Sequence, residues 1–285
     1  MKMDDIKAID VMNYPFDPEL VKIWWEGSPE MRLMKDTMFK GKIPFIMCST
    51  DEFIAEMDKA GYDKVFVTMP RMYSYHRREL LINFSLEQIY DSIKAYPDRL
   101  IGMAPYDPLK IVESLNTIER AVKEFGFKGV YAHVLGQDMR PDAPAMYPCY
   151  AKCVELGIPF SMQLGHSLEI LPSDPGRPIY LDKVALDFPE LTIIGSHTGW
   201  PWCEELIALA WKHPNVYLDV SAHLPRYLDP AIVNFMNTRG RKKCLFGTNG
   251  LGLGRCKEQF MELNIRDETK QAVLRDNAIR VFNLE

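Results

Sequence analysis

The chain has no run of about 18 consecutive apolar residues, so no segment of it reads as a membrane-spanning helix. Its N-terminus, Met1-Lys2-Met3-Asp4-Asp5, enters a strand-like run without the apolar stretch of a secretory leader. The expectation is a soluble cytoplasmic protein with no membrane partner. Basic charge is also scarce. Lys and Arg number 34 against 39 Asp and Glu, a net charge of −5, and the one tight basic run is Arg239, Arg241, Lys242 and Lys243. Contact with nucleic-acid phosphates needs a concentrated basic face, so no nucleic-acid partner is expected. The six cysteines include no Cys-x-x-Cys pair, and only Cys149 and Cys153 lie close together. That spacing argues against a structural zinc site or redox motif and leaves reduced thiols. The glycine-rich stretch Gly247–Gly254 lacks both the dinucleotide fingerprint and the Lys-Ser/Thr of a phosphate-binding loop.

What the chain does contain is a regular alternation. Eight short apolar runs bounded by Gly, Pro, Asp or Asn occur at Ala8–Met12, Lys64–Met69, Leu100–Ala104, Gly129–His133, Pro159–Leu164, Thr192–Ser196, Val216–Val220 and Cys244–Gly247. Most show no polar alternation, as expected for strands covered on both faces. Helical patterns lie between them: Asp51–Ala60 with Asp51 near its N-cap, Leu86–Tyr96, Ile111–Phe125, Tyr147–Leu156, Ile179–Phe188, Glu204–Lys212 and Thr269–Phe282. Strand and helix in alternation imply parallel pairing with right-handed crossovers, and eight repeats predict a (β/α)₈ TIM barrel. A single domain over residues 1–285 is expected. A long excursion at about 13–50, rich in Trp24, Trp25, Met31, Met34, Met38, Phe39 and Phe45, should lie on the catalytic rim as a lid, a plug or a dimer contact.

Parallel barrel strands point their C-terminal ends at one mouth, so distant residues at those ends should converge. They are Asp10, Asn13 and Tyr14 from the first strand, Arg71 and Tyr73 after the second, Tyr131 and His133 from the fourth, Gln163 and His166 from the fifth. His197 follows the sixth, His223 the seventh and Asn249 the eighth. Trp200 and Trp202 either line a pocket for a planar substrate or pack the rim. Arg255 stands near a possible helix start, where backbone N–H groups would favour an anion.

The segments Gly126-Phe127-Lys128-Gly129-Val130-Tyr131-Ala132-His133, Tyr147-Pro148-Cys149-Tyr150, Glu155-Leu156-Gly157-Ile158-Pro159, Ile194-Gly195-Ser196-His197 and Leu245-Phe246-Gly247-Thr248 resemble the amidohydrolase-related family. This is the barrel family of the α-amino-β-carboxymuconate-semialdehyde and resorcylate decarboxylases. The resemblance runs through nearly the whole chain and implies chemistry at a carbonyl-bearing or acidic, often aromatic, carbon skeleton. It also implies a homodimer. The chain departs from the family at the metal. Members holding a divalent ion use His-x-His after the first strand, where this sequence has Met12 and Tyr14; the strand-five histidine falls at Gln163 and the strand-eight aspartate at Asn249. A thioether, a phenol and two carboxamides are poor ligands for a transition metal, so no cofactor is expected. His166 replacing the missing strand-five ligand keeps a metal site as the alternative.

Without a metal, hydrogen-bond donors must polarise the substrate, and His166, His197, Arg71, Tyr14 and Asn249 are of the right type. His197, the one residue matching a family functional position, is the expected general acid/base, with Asp10 orienting an imidazole or serving structure alone. The expected activity is cleavage of a C–C bond next to a carbonyl, by hydrolysis of a β-keto acid or β-ketoacyl-CoA or by decarboxylation. A metal-dependent enzyme with a rearranged site and a non-catalytic binding barrel are the rival readings.

Overall fold

The computed structural model describes residues 6–43 and 45–284 of the chain. All eight apolar runs become strands: β1 Ala8–Asn13, β2 Tyr62–Val67, β3 in two halves (Leu100–Gly102 and Ala104–Pro105), β4 Val130–Ala132, β5 Phe160–Gln163, β6 Ile193–Ser196, β7 Val216–Asp219 and β8 Cys244–Leu245. Neighbours pair in parallel and in chain order. The break in β3 falls where the chain changes partner: Met103 N–H donates to the Val67 carbonyl at 2.9 Å, and Ala104 N–H to that of Gly129 at 2.8 Å. Closure comes at the first and last strands, where Val11 N–H donates to Phe246 O and Asn249 N–H to Met12 O, each at 2.9 Å. The fold is a TIM barrel.

Alternate strand residues point inward, and Ile9, Val11, Phe66, Ile101, Met103, Tyr131, Ile194 and Leu245 belong to one buried cluster. The C-terminal helix Asn277–Phe282 joins this cluster, its Phe282 ring 4.2 Å from Phe66. The barrel interior is thus packed solid with apolar side chains, and the C-terminal ends of the strands carry its polar groups.

The outer helices follow their sequence signals, with local differences. Tyr147–Leu156 stops at Gly157, whose φ of 64° suits a residue without a Cβ. The helix before β2 is capped by Ser49, not Asp51: Ser49 accepts the Glu52 N–H and Glu52 answers in a capping box, while Asp51 binds the Tyr96 hydroxyl at 2.8 Å. Pro178 converts the start of Ile179–Phe188 into a 3₁₀ turn, leaving Leu181–Asp187 helical. Thr269–Phe282 is interrupted by a π-helical turn at Ala272–Asp276.

Other elements lie outside the sequence reading: the helices Pro18–Gly27 and Pro230–Met236, each opened by an Asp-Pro pair in which the aspartate is the N-cap, and an antiparallel hairpin of Arg71–Tyr73 with Leu80–Asn83. The excursion after β1 packs by aromatic contact, with Trp24 at 5.1 Å from Tyr14 and 4.5 Å from Phe45. It also reaches two other rim segments through Glu30. The Glu30 carbonyl accepts Ile170 N–H at 3.0 Å, and its carboxylate accepts the Ser74 hydroxyl at 2.5 Å. Among the described residues no helix is long and apolar enough to cross a membrane.

Candidate active site

At the end of β6 the backbone turns left-handed for three residues, with φ of 69° at His197, 59° at Thr198 and 69° at Gly199. Two of these are not glycine, and such strain persists only where surrounding bonds hold it. Here Asp219 Oδ1, at the end of β7, accepts the N–H of His197 at 3.2 Å and that of Ser221 at 2.9 Å. The Ser221 hydroxyl also donates to Asp219 Oδ1. Having given its one proton to that oxygen, Ser221 can only accept from His197 Nδ1, 2.7 Å away. His197 is therefore held as the Nδ1–H tautomer, and among the described residues its Nε2 lone pair has no hydrogen-bond partner. Burial is the main cause that pulls its pKa down to about 3, so the ring is neutral at ordinary pH.

Glu169 enters from the loop after β5. Its side chain is 11% exposed, and Oε1 lies 3.7 Å from His133 Nε2. Its other oxygen accepts the Ser167 hydroxyl. Gly136 N–H donates to His133 Nδ1 at 2.9 Å, which leaves Nε2 as the protonated nitrogen, aimed at Glu169. Burial opposes ionisation of Glu169, yet the interaction with His133, helped by His197, holds its carboxyl below the usual range. Tyr14 and Tyr131 also feel this carboxylate, and burial pushes both phenols up, so both remain protonated donors.

Asp10 plays a different part. Its carboxylate accepts Met12 N–H at 3.1 Å, Asn13 Nδ2 at 2.9 Å, Thr248 N–H at 2.9 Å and the Thr248 hydroxyl at 2.5 Å, tying β1 to the segment after β8. Complete burial lifts its pKa to about 7 against those four bonds. Asn13 is likewise committed, donating to Asp10 and Thr248 and accepting Tyr14 N–H.

The remaining candidates divide between the mouth and elsewhere. Tyr131 Oη, Gln163 Oε1, Asp219 Oδ2 and Asn249 Oδ1, in or just beyond β4, β5, β7 and β8, are buried polar atoms without a hydrogen-bond partner among the described residues. On the rim, exposed His166 binds Ser173 Oγ at 2.8 Å and sets its ring against Trp200 at 6.0 Å; Trp200 in turn meets His223 at 6.3 Å. The post-β5 and post-β6 segments can approach so closely because residue 165 is glycine: a Cβ there would stand 2.4 Å from the Trp200 carbonyl oxygen. Arg71 and Tyr73 do not join this group. They sit on the hairpin, Arg71 donating to the Phe84 carbonyl at 2.6 Å and Tyr73 to Asp107 at 2.6 Å. Arg255 is exposed in the first turn of the helix Leu253–Met261.

Three residues of this arrangement were not singled out by their sequence. Asp219 sits at a strand end, where the rule that selects His197 would also have selected it. Ser221 follows two residues later, and a lone serine gives no signal. Glu169 lies in an irregular loop, and only the path of that loop brings it beside His133.

The family described as Amidohydrolase matches residues 69–284. An uncharacterised TIM-barrel protein from Bordetella bronchiseptica superposes with a TM-score of 0.78 at 25% identity, covering 98% of this chain and 99% of that one. A 2,6-dihydroxybenzoate decarboxylase complexed with 2,6-dihydroxybenzoate gives 0.70 at 15% identity, covering 97% and 99%. The 5-carboxyvanillate decarboxylase of Novosphingobium aromaticivorans, complexed with manganese and a nitrobenzoic acid, gives 0.74 at 18% identity, covering 97% and 96%.

A divalent cation is thus within the repertoire of this fold, and the residues of this chain can be tested against one. The positions that the family resemblance assigns to metal ligands hold Met12, Tyr14, Gln163, His197 and Asn249, which offer one imidazole, two neutral carboxamides, a protonated phenol and a thioether. Asp10, the nearest carboxylate in sequence, is filled by four donors. Among the described residues no group of three or more His, Cys, Asp and Glu is placed to hold a metal ion. The donor set does not fit a manganese ion in that position, because hard or borderline cations want carboxylate and several imidazoles.

Proposed function

The chain belongs to the amidohydrolase family, and from that premise we propose that it cleaves the carbon–carbon bond beside a carboxyl or carbonyl group of an aromatic or otherwise planar acid. The reaction is decarboxylation or hydrolysis, with side chains and not a resident metal handling charge and protons. The neighbours named for dihydroxybenzoate and carboxyvanillate support the aromatic-acid class.

The observation that carries this reading is the set of partnerless polar atoms at the mouth: Tyr131 Oη, Gln163 Oε1, Asp219 Oδ2 and Asn249 Oδ1. Leaving a buried polar group unpaired costs about 1–3 kcal/mol each. Four at one end of a barrel describe a surface waiting for a polar, hydroxylated ligand. Tyr131 and Tyr14 donate to the carbonyl or carboxylate oxygen where negative charge gathers. The carboxamides and Asp219 accept from hydroxyl groups. His197, neutral and locked as the Nδ1–H tautomer, uses its Nε2 lone pair to orient a hydroxyl or a water, and the exposed Trp200 flanks the ring.

The test is a screen of the purified protein against 2,6-dihydroxybenzoate, 5-carboxyvanillate, a β-keto acid and a β-ketoacyl thioester, following carbon dioxide release and substrate loss with and without EDTA. Chelator-resistant turnover of an aromatic acid is expected. Turnover that vanishes with EDTA and returns with manganese overturns the metal-free reading. Turnover of the aliphatic substrates alone, or neither turnover nor binding of any aromatic acid, overturns the substrate class.

A further inference from the structure

Resting on the reaction proposed above, we infer that Glu169, paired with His133, is the catalytic group that carries the exchangeable proton, and that His197 only orients the reactants. Three geometric facts support this. First, Glu169 has accepting capacity to spare beside an imidazole: at 3.7 Å, the contact of its Oε1 with His133 Nε2 is longer than a hydrogen bond. Asp10 is filled by its four donors; Asp219 keeps its Oδ2 open, but its Oδ1 is tied to the N–H groups of His197 and Ser221 and to the Ser221 hydroxyl, which commits that side chain to holding the turn after β6. Second, His197 is tied through Nδ1 to Ser221, and a proton stored on its Nε2 would create a buried imidazolium whose burial, with His223 and His133 beside it, outweighs the attraction of Glu169. Third, Glu169 is fixed from two sides although its loop is irregular. Its own N–H donates to Ser167 Oγ at 3.2 Å, and the next residue, Ile170, donates to the Glu30 carbonyl, with Glu30 in turn held by Ser74. The excursion after β1, the hairpin after β2 and the loop after β5 therefore meet to position one carboxylate.

In the hydrolytic branch, a water O–H bond breaks and its proton passes to Glu169 Oε1. The oxygen adds to the substrate carbonyl carbon, whose π pair moves onto the oxygen held by Tyr14 and Tyr131. The tetrahedral centre then reforms its carbonyl as the C–C bond breaks. The departing carbon keeps the electron pair and takes the proton back from Glu169. In the decarboxylation branch, Glu169 first takes a proton from solvent. It delivers that proton to the ring carbon, the C–C pair returns to the ring, and carbon dioxide leaves. Both branches share one act, a proton passed from Glu169 to carbon.

The experiment compares wild type, Glu169→Gln and Glu169→Asp with whichever acid the screen identifies, measuring kcat and KM across pH. It adds ¹³C NMR titration of the Glu169 carboxyl, assigned by its loss in Glu169→Gln. We expect a 10²–10⁴-fold fall in kcat for Gln, as for loss of a general acid/base, with KM little changed and partial recovery in Asp. The Glu169 carboxyl should titrate below an ordinary glutamate and rise in His133→Asn, which removes the partner favouring its charge. Active wild type with a Gln variant above a tenth of its rate overturns the inference and leaves the proposed function standing. Wild type inert toward every acid sinks the proposed function, and the catalytic role of Glu169 falls with it. The titration then decides the pair alone: a midpoint indifferent to His133→Asn disproves it.

Discussion

The imidazole Nδ1 of His197 lies 2.7 Å from the hydroxyl of Ser221, which in turn donates to Asp219. This chain fixes the tautomer of the ring and places its free nitrogen at the barrel mouth. Ser221→Ala breaks the chain while leaving every side chain of the mouth except this hydroxyl. It should lower turnover about 10-fold through loss of orientation and cost about 1 kcal/mol from an unpaired Nδ1–H. Steady-state kinetics and thermal unfolding on one preparation check both, and unchanged turnover would show that the tautomer is held by other contacts.

His197→Gln should lower kcat roughly 10²-fold, while the unfolding midpoint moves by only a few degrees, as expected for ~1 kcal/mol in a protein of this size. Glutamine retains a hydrogen-bonding group but cannot hold it in the same place. A large loss of stability with normal specific activity in the folded fraction would assign His197 to structure.

Asp10 predicts a pH effect of definite sign. Its folded pKa, about 7, lies well above that of an ordinary aspartate, so its contribution to stability is greatest at low pH and is lost as pH rises through about 7. Asp10→Asn removes this titration and also replaces an acceptor facing four donors, so it should be less stable than wild type in acid. The gap between the two unfolding midpoints should narrow from about pH 4 to about pH 7. A gap that widens over that range would mean the carboxyl is ionised in the folded state well below neutrality.

Gly165→Ala tests the close approach on which the mouth depends. The new Cβ would sit 2.4 Å from the Trp200 carbonyl oxygen at a φ of +89°, and neither backbone can yield independently. Loss of roughly 5 °C or more in the unfolding midpoint is expected. Gly126→Ala is the control, since its Cβ would meet nothing within 4 Å although φ is +70°. Equal losses in the two variants would show that backbone strain, not the contact, sets the cost.

Barrel architecture was legible in the chain because it depends on local signals repeated eight times. Each strand is a short apolar run between breakers, and burial on both faces removes the polar alternation that would otherwise mark a strand. The same regularity placed Tyr131 and Gln163 on strands and His133, His197 and Asn249 in the segments that directly follow them. Arg71 and Tyr73 were expected at the mouth on that logic, but the chain after β2 leaves as a hairpin and turns them toward Phe84 and Asp107.

Which groups face each other across the mouth depends on loops, whose paths are decided by contacts between residues far apart in sequence. Glu169 stands beside His133 because Gly165 lets its loop pass against Trp200 and because Glu30, over a hundred residues earlier, binds Ile170. His197 is neutral because the fold buries it and Ser221 holds its Nδ1, and Asp10 is bound by Thr248 from the other end of the chain. The sequence by itself determined the strands, their order and the face that carries chemistry, since those follow from local periodicity. Tertiary structure alone decided the partners, tautomers and charges of the site, since those follow from distances that no local pattern encodes.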